Sequence, residues 1–147
     1  MRINVREDGI MESKEQKKRT TVSINNLLTQ ALFKQYPLMI LGNLTQNTYS
    51  FLTYKDFTST KCDVAGTFDE LIESGASTMH EMDRDLFINT FSRENLLKEY
   101  QKGTDKVEIR VIQKGDDGVL RRVEITDYFV TDEDSDDVMV VSLNRNM

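Results

Sequence analysis

The last third of the chain constrains the fold most. Val107, Ile109 and Val111 alternate with Glu108 and Arg110, the period of a strand with one buried face. Lys114-Gly115-Asp116-Asp117-Gly118 then supplies hairpin turn chemistry. A second strand is predicted from about Val119 to Val130, with Val123 and Ile125 on one side. The acidic run from Thr131 to Asp137 reads as a solvated turn, and Val138 to Leu143 as a last strand. Three strands joined this closely form an antiparallel meander, because parallel pairs need long crossovers.

Upstream, the pattern changes to helical spacing. Ser13 and Gln16 fit a capping box. Ile24, Leu27, Leu28, Ala31 and Leu32 fall at offsets that lay one apolar stripe along a helix. The only proline, Pro37, ends that helix, since the residue before a proline avoids helical dihedrals. The predicted helix spans Lys14 to Gln35. Its stripe either covers the domain's own core or pairs with the same helix of a second chain.

Leu38 to Leu41 is a short apolar run of the kind found in a buried strand, and Gly42-Asn43 reads as the turn after it. Tyr49 to Tyr54 reads as a second strand. Thr67 and Glu70 then form another capping box, ahead of Phe68, Leu71 and Ile72, and Gly75 is the expected stop. A further helix is predicted to start near Asp83, with Phe87 and Phe91 on one face. Ser92 can cap a last helix bearing Leu96, Leu97 and Tyr100, which Gly103 closes. The expected architecture is α+β: five strands in one antiparallel sheet, short helices on one face, and an N-terminal flanking helix. The expected divisions are a loose leader over 1–12, the flanking helix over 13–36 and the main domain over 37–147.

Bulk properties remove several function classes. The chain has 147 residues, a formal charge of −6 and a pI near 4.9. An acidic surface repels phosphate backbones, so nucleic acid is not an expected partner. No apolar run approaches the roughly 18 residues of a membrane span. Cys62 is the only cysteine and cannot form an internal disulfide. With no apolar signal centre in the first residues, a cytoplasmic location is expected.

In this order the segments resemble the PAS sensor domains of bacterial signalling proteins. Tyr36-Pro37 leads into the first strand, and Asn43-Leu44-Thr45-Gln46-Asn47 precedes the second. Gly66-Thr67-Phe68-Asp69-Glu70-Leu71-Ile72 opens the short helices. His80-Glu81-Met82-Asp83-Arg84 is similar to a His-Pro-x-Asp-Arg element, with Glu81 in the proline's place. Asp117-Gly118-Val119-Leu120-Arg121-Arg122-Val123 is similar to the hairpin of many such domains, with Arg122 where a tryptophan is common. The resemblance runs from about Leu27 to the C-terminus, where Leu143-Asn144-Arg145-Asn146-Met147 is similar to the junction that leads into an output domain. In relatives that domain is often a diguanylate cyclase or a histidine kinase.

The resemblance implies a sensory input domain without catalytic activity of its own. It implies a small molecule held between sheet and helices, dimerisation through the flanking helix, and relay to a C-terminal output domain. Residues facing such a pocket would include Phe51, Leu71, Ile72, Met79, Phe87, Phe91, Ile109, Val123 and Ile125. The alternative is that they fill a solid core, each worth roughly 1.5–3 kcal/mol when fully buried. The chain would then be a ligand-free dimerisation or interaction module working through Ile24, Leu27, Leu28, Ala31 and Leu32.

No cofactor or metal is expected. Flavin-binding light sensors of this kind carry Arg-Phe-Leu after their cysteine, whereas Cys62 is followed by Asp63-Val64-Ala65. A haem ligand would have to be His80, the only histidine, which reads instead as fixing a helix start. Cys62 with His80 is too thin a set for nucleophilic catalysis or for zinc. Asp132, Asp134 and Asp136 match the first positions of a calcium loop, but Asp137 stands at its glycine and Leu143 at its glutamate.

Overall fold

The computed structural model describes residues 23–52, 65–115 and 117–147. The chain divides into two compact units, with the boundary between Gln35 and Tyr36. In the first, helix α1 covers residues 23–35 and stops two residues before Pro37, as the proline rule requires. Thr29 Oγ1 donates to the Asn25 carbonyl at 2.8 Å. Ile24, Leu27, Leu28, Ala31 and Leu32 are all exposed. The expected leader and the Ser13–Gln16 capping box lie outside the described residues.

The second unit is built of β1 (Leu38–Asn43), β2 (Thr48–Phe51), β3 (Ala65–Gly66), α2 (Phe68–Thr78), α3 (Glu81–Phe91), α4 (Arg93–Gln101), β4 (Lys106–Lys114), β5 (Leu120–Thr131) and β6 (Val138–Asn146). One antiparallel sheet runs in the order β3-β2-β1-β6-β5-β4. The expected meander is β4, β5 and β6, with Val111 opposite Val123 and Ile125 opposite Asn144. β1 and β6 lie side by side at the centre, and the sixth strand, β3, adds two residues at the edge beside β2. The core lies on one face of the sheet. Phe91, Leu44, Leu96, Val111 and Val140 are its most completely buried side chains.

Helix starts follow the local chemistry. Thr67 caps α2 and accepts from the Glu70 amide, and Ser92 caps α4 and accepts from the Asn95 amide, each at 3.2 Å. Gly103 closes α4 at φ 83°, a left-handed conformation that costs glycine little. The expected start of α3 near Asp83 is late by about two residues: the helix begins at Glu81 and His80, read from the sequence as fixing a helix start, is its cap, with Nδ1 accepting from the Met82 amide at 3.2 Å. Asp83 instead reaches across to β4, where its Oδ2 accepts from the Ile112 amide at 2.8 Å.

Two glycines expected to break structure do not. Gly42 and Asn43 continue β1, paired with β2 on one side and β6 on the other. The turn comes later, at residues 44–47, where Asn47 takes φ 56°. Gly42 is required because a Cβ there would stand 2.7 Å from Phe68 Cε2 and 2.9 Å from Val140 Cγ2. Gly75 lies inside α2, which runs on to Thr78, because a Cβ there would stand 2.8 Å from Phe87 Cζ. Close packing of α3 against α2 thus outweighs the helix cost of glycine, about 1 kcal/mol.

Candidate functional site

A cavity of about 310 Å³ lies between the core face of the sheet and helices α2 and α3. That is the lower end of the range in which small-molecule sites fall, roughly 300–1,000 Å³. Phe51, Leu71, Ile72, Met79, Phe87, Phe91, Val123 and Ile125 line it, joined by Leu38, Ile40, Phe68 and Val140. Ile109 does not. It pairs with Ile125 on the core face but sits one strand nearer the β4 edge, half-buried against the core. Phe87 and Phe91, one helical turn apart, meet with ring centroids 5.6 Å apart.

The inner wall also carries a polar cluster that the apolar pattern gave no reason to expect. Residues of a strand alternate between faces, so Asp127 shares its face with Val123 and Ile125. Across β6, Ser142 is paired with Asp127 and Asn144 with Ile125. Asp127, Ser142 and Asn144 are all buried and all line the cavity. Asn144 Nδ2 donates to Ser142 Oγ at 3.1 Å and to the Leu38 carbonyl at 3.4 Å. The Ser142 side chain is hydrogen-bonded to the Asp127 carboxyl. Asp127 Oδ1 has no hydrogen-bond partner among the described residues. Burial pushes this carboxyl up to about 7, offset only in part by Ser142.

At another part of the wall, Gln113 Nε2 donates to Thr78 Oγ1 at 2.8 Å, tying the end of α2 to β4. The backbone reinforces this tie: Met79 forms a bridge with Gln113, and the His80 amide donates to the Ile112 carbonyl at 2.8 Å. Arg84 Nε closes the segment on the Met79 carbonyl. His80, Asp83 and Arg84 therefore hold the α2–α3 junction against β4, and none of them lines the cavity. Cys62 lies outside the described residues. Among those residues no group of three or more His, Cys, Asp or Glu side chains is placed to hold a metal ion. No helix described is long and apolar enough to cross a membrane.

Two hairpin-like halves meet at paired central strands, and the helices fall between the first half and the meander. This is the layout that the resemblance implies. The fold is α+β, an open antiparallel sheet with short helices on one face. Solved structures similar to the chain include the PAS domain of an HTR-like protein from Haloarcula marismortui, with 16% identity and TM-score 0.46 over 91% of this chain and 99% of that one. Another is the N-terminal domain of a diguanylate cyclase with a PAS/PAC sensor from Marinobacter aquaeolei, with 12% identity and TM-score 0.44 over 74% and 93%. A sensory box histidine kinase/response regulator from Burkholderia thailandensis gives 11%, 0.45, 75% and 76%. No protein-family model and no curated protein sequence matches the chain.

Sequence reasoning missed Asp127, Ser142 and Asn144. A signal existed. Once Val123 and Ile125 are assigned inward, strand alternation forces Asp127 inward too, and the pairing of β5 with β6 brings Ser142 beside it. Nothing local in the sequence supplies that register.

Proposed function

We propose that this chain is a PAS-type regulatory input domain that binds a small, mainly apolar molecule in its cavity and relays occupancy to an output domain. The observation that supports it best is the cavity itself, apolar on most of its wall and polar at one buried cluster. Ligand sites combine apolar lining with a few placed polar groups in just this way. In this reading the domain has no catalytic residue and works in the cytoplasm of a bacterial cell. Ser142 and Asn144 belong to β6, so an output domain joined after that strand would feel a shift at the cavity directly.

The test is native mass spectrometry of the purified protein beside its denatured mass. The expected result is an extra mass that is lost on denaturation. A bare protein whose melting temperature responds to no compound of a broad metabolite panel would overturn ligand sensing. A bare dimer in that experiment would favour an interaction module, in which the exposed α1 residues Ile24, Leu27, Leu28, Ala31 and Leu32 form the contact.

A further inference from the structure

The cavity's polar cluster is asymmetric. Asn144 donates to Ser142 and to the Leu38 carbonyl, and Ser142 is hydrogen-bonded to Asp127, so with Asp127 ionised the cluster ends in a carboxylate oxygen, not in a donor. That carboxyl belongs to a residue lining the cavity, and its Oδ1 is buried with no partner among the described residues. A buried polar atom left unpaired is costly, and more so when charged, so the site favours a ligand that supplies a donor there. Resting on the ligand-binding reading above, we propose that Asp127 is the recognition residue of the cavity, its Oδ1 accepting from the ammonium group of a small amine with an apolar body.

Position supports a cation. Among the described residues the basic side chains on the cavity wall are Lys114 and Arg121, at the hairpin between β4 and β5. Arg121 lies six residues along β5 from Asp127, roughly 20 Å at strand rise. Its guanidinium is already engaged by the Asp117 carboxylate. Lys114 is exposed. Neither competes at the Asp127 end, where the neighbouring cavity residues are the neutral Ile125, Ser142 and Asn144. Hydrogen bonds with an ionised partner are about twice as strong as neutral ones, which favours an ammonium over a hydroxyl of the same shape. The rest of the ligand would rest on Phe87, Phe91, Ile72 and Val123.

Three probes of nearly equal shape decide it: benzylamine, benzyl alcohol and toluene, titrated against the full chain by NMR. Benzylamine is expected to bind at least about tenfold more tightly than toluene, the scale of one hydrogen bond to a charged group. In Asp127→Asn that advantage should vanish while toluene binding is kept. Toluene binding with no gain for benzylamine overturns the amine proposal and leaves the cavity reading standing. Benzyl alcohol matching benzylamine overturns the cationic class. Binding of none of the three overturns both readings. Should Asp127→Asn fail to fold, the wild-type carboxyl ¹³C resonance of Asp127 decides instead: it should move with benzylamine and not with toluene, and a resonance unmoved by benzylamine overturns the proposal.

Discussion

Two buried carboxyls stand three residues apart on β5, and opposite faces of the sheet give them opposite chemistry. Glu124 lies on the outer face and is 6% exposed; Asp127 lies on the core face and is 3% exposed. Glu124 accepts from Arg145 Nε at 2.8 Å and from Arg110 Nε at 3.3 Å, one guanidinium from each flanking strand. Its hydrogen bond from Arg145, with Arg110 adding to it, holds the carboxyl below its usual range. Among the described residues Asp127 has only Ser142, and desolvation carries it the other way. Both carboxyls are hidden from solvent, but desolvation dominates at Asp127, whereas at Glu124 the guanidinium partners outweigh it. A carboxylate between two cations completes a structural ladder, whereas a carboxyl beside a hydroxyl and a cavity is left with capacity to bind.

The largest expected effect comes from the Asp127 side of this contrast. Its folded-state value is raised, so between about pH 4 and 7 the folded chain keeps a proton that the unfolded chain has released. Stability should therefore fall as pH rises through that window and stay low above it. Asp127→Asn should abolish that loss and raise stability at pH 8 by about 2–4 kcal/mol, read from urea denaturation at pH 5 and pH 8. An equal pH slope in the variant would show that Asp127 is not held in its raised state.

A second prediction sharpens the contrast between packed and open parts of the core face. Gly42→Ala pushes a methyl between Phe68 and Val140, where no space exists. It should cost about 1–3 kcal/mol in the same measurement. A neutral outcome would mean that the Phe68 ring can move toward the cavity, and that the cavity wall there is soft.

The smallest effect is expected at Glu124→Gln. Arg110 and Arg145 keep access to water, with side chains 62% and 35% exposed. Solvent screening reduces the value of such pairs, so the cost should be about 1 kcal/mol or less and should shrink with added salt. Because Glu124 is held below its usual range, whatever it contributes is present at neutral pH and lost in acid, the reverse of Asp127. A cost that did not respond to salt would point to shape and not charge at this position.

Much of the fold was legible because its signals are local. The alternation of Val107, Ile109 and Val111, the Lys114–Gly118 hairpin, and the caps Thr67 and Ser92 each act within a few residues. The apolar lining was legible for a related reason: Phe87 with Phe91, and Val123 with Ile125, follow the period of their own element. Ile109 obeys that period too and still misses the cavity, because its distance from the centre of the sheet is set by strand order.

The sequence by itself determined the strand and helix alternation, the antiparallel meander and the acidic, charge-rich surface, since periodicity, turn chemistry and composition need no knowledge of distant contacts. Tertiary structure alone decided three further matters. It kept Gly42 in a strand and Gly75 in a helix, because Phe68 and Phe87 pack where a Cβ would be. It made Asp83 a tie to β4. Above all it placed Asp127 beside Ser142 at the cavity, since register between β5 and β6 joins residues fifteen apart, and a polar residue in a strand reveals its face only once its neighbours are known.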